Sequence, residues 1–334
     1  MDNAMRNKAM RNKAMRNKAG VMVAACMLFA STVFAADYPV RPVRIIVPFA
    51  PGGATDIVAR LVAQKLNETW GQTMVVDNRA GAGGNIGGEI AAKSNPDGYT
   101  LFMTSGSIVT ANQHMYAKMP FSPEKDLIAV TNVASGPQAL VVHPSNPAKT
   151  LKEFIAMAKA KPKSMTYGSA GVGTQTHLAA ENFIYTAGID VTHVPYKGEG
   201  PAVSDLIGGQ IQFVTPNLSA AIVFINSGKL RALGVTSKER APQVPNVPAI
   251  AETLPGFENL GWFGFMVPTG TPRAVIAKVH ADTVKALRNP DLIKRFNDIG
   301  MVPVGNSSQD FARDIKVESA RWEKIIKERN LQVK

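Results

Sequence analysis

Short β-branched apolar runs alternate along this chain with stretches whose apolar residues recur every three to four positions. Val43-Arg44-Ile45-Ile46-Val47 reads as a buried strand. After the loop Pro48–Asp56, Ile57, Val58, Leu61, Val62 and Leu66 mark one face of a helix, with Thr55 or Asp56 as its natural cap. Further strands are predicted at 73–78, 99–104, 128–133, 138–142, 191–196, 210–215, 230–236 and 261–268. Ser135-Gly136-Pro137 separates the third and fourth of these. Thr150-Leu151-Lys152-Glu153 opens a helix with inner face Leu151, Phe154, Ile155 and Ala158. Other helices are predicted at 178–183 and 202–207, and two near the end, about 272–287 and 308–328, the last docking through Trp322, Ile325 and Ile326. Strand and helix in alternation predict an α/β architecture.

Two strand-to-helix junctions share one grammar. Pro48-Phe49-Ala50-Pro51-Gly52-Gly53-Ala54-Thr55-Asp56 follows the first strand. Ala170-Gly171-Val172-Gly173-Thr174-Gln175-Thr176-His177 follows Ser164–Ser169. Small residues and a bare helix N-terminus make an anion site from backbone N–H groups; the plain alternative is a tight turn that holds nothing. Two such loops from different halves of the chain could face each other across a cleft, with Thr55 and Thr174 on the same gap. Ser105 and Ser107 close the strand 99–104, where an open α/β sheet places ligands, although they could equally cap the next turn. Gly81-Ala82-Gly83-Gly84-Asn85-Ile86 invites a dinucleotide reading, but Ile86 stands where the third glycine belongs, so close packing or a cleft wall fits better.

The first residues read as a leader. Met5-Arg6-Asn7-Lys8-Ala9 recurs at 10–14 and 15–19, and an uncharged apolar stretch from Gly20 to about Ala36 follows. A basic start, a short apolar core and small residues at the exit make a secretory signal, with cleavage expected near Ala35/Ala36; a membrane anchor is the rival. Six of the 37 basic and one of the 25 acidic side chains lie in this segment, so the remainder carries +7 rather than +12. That mild, unclustered excess suits anionic small molecules and does not suit nucleic acid. The one cysteine, Cys26, also lies in the leader, so the exported chain is expected to be soluble and without disulfides.

Catalytic patterns are scarce. Tyr167-Gly168-Ser169-Ala170-Gly171 misses a nucleophile elbow by one glycine, leaving a hydrolase using Ser169 as an alternative. His177 and Glu181 stand four apart on a helix without a third metal ligand, and His143 and His193 sit in strand-like runs. No metal, cofactor or enzymatic activity is expected.

Tyr38-Pro39, Arg44–Asp56, Asn78–Asn85, Asp97–Leu101, Pro195-Tyr196-Lys197-Gly198 and Gly270-Thr271-Pro272 together resemble the Bug family, periplasmic solute-binding proteins of tripartite tricarboxylate transporters. The resemblance covers the chain from about Tyr38 onward. It implies an α/β type II periplasmic-binding-protein fold, two lobes around a central ligand cleft joined by two crossover strands. The expected division is a signal peptide 1–36, a discontinuous first lobe 37–136 and 262–334, and a second lobe 137–261. By position, Phe49, Gly53, Ala54, Thr55 and Asp56 would form the first-lobe loop, Ser169, Gly173, Thr174 and His177 the second-lobe loop, and Tyr196 with Gly198 the neighbouring turn. Asn217 stands where the family often has an acidic residue near the cleft, and no carboxylate is expected beside it. That disfavours an amino-acid ligand, although Asp56 could supply a counter-charge. The implied partners are a small carboxylate (dicarboxylate, tricarboxylate, aromatic acid or amino acid) and the permease subunits of a membrane transporter. The chain itself is expected to be a periplasmic monomer. A ligand-sensing subunit for a membrane receptor is a further alternative.

Overall fold

A computed structural model describes residues 38–333. The expected leader, its cleavage point and Cys26 lie outside the described residues. In chain order the elements begin β1 (Val43–Val47), α1 (Ala54–Trp70), β2 (Met74–Asn78), α2 (Asn85–Ala92) and β3 (Thr100–Ser105). Three short helices follow, α3 (Gly106–Thr110), α4 (Asn112–Met115) and α5 (Pro123–Asp126), then β4 (Leu127–Pro137) and β5 (Ala139–Val142). Next come α6 (Leu151–Ala160), β6 (Thr166–Ser169), α7 (Gln175–Ala187), β7 (Thr192–Pro195) and α8 (Glu199–Ile207). The chain continues through β8 (Phe213–Val214), α9 (Leu218–Asn226), β9 (Arg231–Val235) and β10 (Leu260–Pro268). It closes with α10 (Arg273–Leu287), α11 (Pro290–Asp298), β11 (Val302–Pro303) and α12 (Ser308–Glu328).

Two sheets organise these elements. The first has six strands in the order β11-β4-β10-β3-β1-β2, the second five in the order β7-β6-β8-β5-β9. β1 runs parallel to β2 and β3, and β10 lies antiparallel between β3 and β4. In the second sheet β6 is parallel to β7 and β8, whereas β5 is antiparallel to β8 and β9. One core cluster around Phe154, Tyr167, Phe183 and Phe213 and another around Val203, Leu206, Val214 and Leu218 belong to the second sheet. Ile46, Phe102, Ile108 and Met266 belong to a core cluster of the first.

The chain passes between the sheets twice, and the two passages lie side by side. β4 runs directly into β5 through Gln138, and β10 begins paired with its end, Leu260 opposite Pro137. The Gln138 amide donates to Thr236 Oγ1 (2.7 Å), and Asn259 donates its amide to Thr236 O (2.9 Å) and its side chain to Gln138 Oε1 (3.1 Å). Paired crossovers stitched in this way let two lobes rotate while staying in register.

Several expectations shift in detail. Ser135-Gly136-Pro137 does not interrupt a strand: β4 continues through it, because β10 on one side and β11 on the other supply ladder partners. Helix α8 starts at Glu199, three residues earlier than expected, with Gly198 as its cap. α11 and β11 were not anticipated. The stretch 241–248 reads as a surface loop, yet Ala241 and Val244 are core residues (5% exposed each) beneath it. Thr150 caps α6 as predicted, its hydroxyl accepting from Glu153 N while the Glu153 carboxylate accepts from Thr150 N.

Candidate functional site

Loop 48–53 carries the chain from the C-terminal end of β1 to α1. Asn78 holds it from β2, donating its side-chain N–H to Phe49 O (2.9 Å). The cap of α1 is Gly53, extended and with no side-chain bond, so neither Thr55 nor Asp56 caps this helix. Asp56 sits in the first turn and turns away from the cleft. Its carboxylate accepts from Gly52 N (3.1 Å), Arg60 Nε (3.0 Å) and Asn78 Nδ2 (3.1 Å). It is held by Arg60 and Asn78 and is not free to act as the counter-charge that the sequence left open.

The second junction, between β6 and α7, is capped by Thr174, whose hydroxyl accepts from His177 N. Thr176 Oγ1 accepts from Ala170 N (2.9 Å), and Thr174 Oγ1 donates to Gly171 O (2.6 Å). Behind the loop is a stack of rings. His177 lies on His193 at 4.3 Å between centroids, and Tyr167 covers His193 at 4.7 Å. His177 Nδ1 accepts from Gly173 N (3.2 Å), so its Nε2 carries the proton, facing Glu181 at 3.8 Å. Burial pushes the His177 pKa down to about 3, with the neighbouring His193 adding to the shift, and burial alone pushes His193 down to about 4. Both rings are neutral props for the loop.

The two junctions meet. Phe49, Gly53, Ala54, Thr55 and Ser105 from the first lobe, and Thr174 and Asn217 from the second, line one residual cavity of about 20 Å³. Thr55 and Thr174 therefore share a gap. Ala170, Gln175, Thr176, Glu199 and Phe263 complete its wall. The space holds about one water, far below the ~300 Å³ of an ordinary small-molecule site. This is a contracted conformation, in which the lobes touch directly. Ala50 N donates to Lys197 O (3.0 Å), Tyr116 OH to Val172 O (2.8 Å), and Gln175 Nε2 to Trp262 O (2.8 Å). Gly83 lets the lobes approach, since a Cβ there would lie 2.3 Å from Val172 O. The glycine-rich loop is thus a wall between lobes, with no phosphate cradle implied.

Six of the predicted residues lie outside the lining: Asp56, Ser169, Gly173, His177, Tyr196 and Gly198. Ser169 is fully buried and bonded to His193 Nε2 (2.7 Å) and Gly171 O. Gly173 adopts a φ of +80° against Asn112, Gly198 lies against the Ala50 backbone, and Tyr196 OH donates to Asp205 (2.7 Å). Ser169 supports its loop from behind, whereas Gly173 and Gly198 lie where the lobes touch.

Of the five lining residues that sequence reasoning missed, Glu199 carries the charge. It is 6% exposed, and its carboxylate accepts from Ala54 N across the cleft (2.7 Å) and from the Asn217 backbone N (3.2 Å) and side-chain amide. A carboxylate does stand beside Asn217, contrary to expectation. It comes from the start of α8, 18 residues upstream, not from Asn217's own loop. Burial raises the Glu199 pKa, and the hydrogen bonds from Ala54 and Asn217 oppose that rise. The available signal was the glycine cap before Glu199, which would have placed it in a helical first turn.

Two α/β lobes, paired crossovers and a cleft walled by one helix start from each lobe define a ligand-binding protein of the two-lobed periplasmic class. The family model for the tripartite tricarboxylate transporter family receptor matches residues 58–331. The chain belongs to that family, whose members are periplasmic ligand-binding receptors and not enzymes. It superimposes on the periplasmic binding protein BugD with a TM-score of 0.85 at 31% identity, covering 88% of this chain and 99% of that one. The Rhodopseudomonas palustris protein Rpa4515, solved with adipate, gives 0.85 at 36% identity over 87% and 97% of the two chains. MatC from Rhodopseudomonas palustris, solved with bound malate, gives 0.82 at 32% identity over 86% and 100%. These likenesses carry the type II periplasmic-binding-protein fold and the Bug relationship, and they replace the alternative of a hydrolase built on Ser169.

Proposed function

We propose that the chain captures a small carboxylate-bearing molecule between its lobes and delivers it to the membrane subunits of a tripartite tricarboxylate-type transporter. One observation carries this reading: a helix start from each lobe, at Gly53–Thr55 and at Thr174–Thr176, lines a single cavity at the lobe boundary. Charge-assisted bonds from backbone N–H groups contribute about 1.5–3 kcal/mol each. A few of these with the dipole of a helix start give micromolar binding, about −8 kcal/mol, without an arginine clamp. Similar proteins solved with adipate and malate support a carboxylate ligand. On this reading the lobes are 37–136 with 262–334, and 137–261. The chain works as a monomer in the periplasm after cleavage near Ala35/Ala36.

The test is a thermal-shift panel of mono-, di- and tricarboxylates, aromatic acids and amino acids, with hits followed by calorimetry. Stabilisation by one acid, without turnover, is the expected result. A panel in which nothing stabilises the protein, or in which a ligand is converted, overturns the reading.

A further inference from the structure

Glu199 occupies the position at which an anion would dock on the first lobe. The N–H of Ala54 opens α1, and a bound carboxylate would use that donor first; here Glu199 Oε2 takes it, at 2.7 Å. Both Glu199 oxygens are engaged, one by Ala54 and one by Asn217, and the side chain has no ion-pair partner among the described residues. Glu199 and Asn217 both belong to the second lobe, so on opening they move together and the carboxylate stays on the cleft wall. The other helix start on the same lobe differs. The first turn of α7 holds no acidic residue, and the Thr174 and Thr176 hydroxyls lie there. A second observation points to a ligand in this cavity. Ser105 Oγ lines the same cavity, its residue is 3% exposed, and it has no hydrogen-bond partner among the described residues.

We propose that Glu199 is the specificity-determining residue of the cleft, admitting ligands with one carboxylate, held at the α7 end, and a neutral or cationic hydrogen-bond donor at the other. Two carboxylates in one water-poor site cannot both stay ionised cheaply. A dicarboxylate would bring its second charge against Glu199, whereas an amide or ammonium group would donate to it. The inference rests on the carboxylate-capture reading above and narrows it to a class of ligand.

Calorimetry on matched pairs tests it: succinate against succinamate, and adipate against adipamate, with wild type, Glu199→Gln and Glu199→Ser. The members of each pair differ only in one carboxylate becoming an amide. Wild type is expected to prefer the monoamide by about tenfold or more, and both variants to erase or reverse that preference. Circular dichroism and melting curves confirm folding, and the two variants serve as checks on each other. Equal affinity of wild type for both members of each pair, or a preference unchanged in Glu199→Gln and Glu199→Ser, overturns the inference while leaving carboxylate capture standing. If no acid binds to wild type or to either variant, here or in the wider panel, both fall together.

Discussion

The ring stack behind the second-lobe loop makes stability sensitive to acid. His177 and His193 are stacked with centroids 4.3 Å apart, and their pKa values fall to about 3 and about 4. In the unfolded chain each titrates near the ordinary 6.5. A histidine depressed on folding contributes stability that is present above the unfolded value. It is lost as pH drops through the window between the unfolded and folded values. From about pH 7.5 to about pH 5 the unfolded chain gains most of a proton per ring and the fold gains almost none. That costs about 2 kcal/mol for each histidine. The figure depends little on how far below 5 the folded values lie. Glu199 acts in the opposite sense: its raised pKa favours the fold as pH drops, so the informative quantity is the difference between variants. His177→Asn keeps an acceptor for Gly173 N and removes one titrating ring. Its unfolding free energy from urea titrations should lose about 2 kcal/mol less than wild type between those two pH values. At about 2 °C per kcal/mol for a chain of this size, its melting temperature should drop about 4 °C less. Identical pH slopes for His177→Asn and wild type would refute the assignment of neutral, buried rings to this stack.

Two further perturbations separate closure from stability. Gly83→Ala places a Cβ at 2.3 Å from Val172 O, in a backbone conformation with φ +61°. It should wedge the lobes apart and weaken calorimetric binding of any panel acid by at least tenfold, with a melting shift of only a few degrees; unchanged affinity would show that closure does not need that approach. Thr150→Ala removes the hydroxyl that caps α6, far from the cleft, and should cost about 1 kcal/mol in urea unfolding. Binding should stay the same, and a loss of affinity would contradict the separation of cap and site.

The local grammar of this chain was legible without coordinates. Val43–Val47 followed by small residues and an amphipathic run specifies strand, loop and helix, because side-chain period and backbone freedom are properties of neighbours in sequence. Thr150 and Glu153 are likewise three residues apart, so their mutual capping could be read directly. Where strands end is less local. Ser135-Gly136-Pro137 looks like a break, yet stays extended because β10 and β11, from the far end of the chain, lie on either side of it. Asp56 looks available to a ligand until Arg60 and Asn78 are seen to hold it. The same holds most strongly for Glu199 and Ala54, which are 145 positions apart. Nothing in either neighbourhood announces the bond between them. Only the approach of the lobes, through backbone contacts such as Ala50 with Lys197, brings a carboxylate onto the first turn of α1. Sequence determined that each lobe would offer a helix start to an anion. Tertiary structure decided that one of those starts is already met by the protein's own charge, because burial and long-range pairing depend on the whole fold.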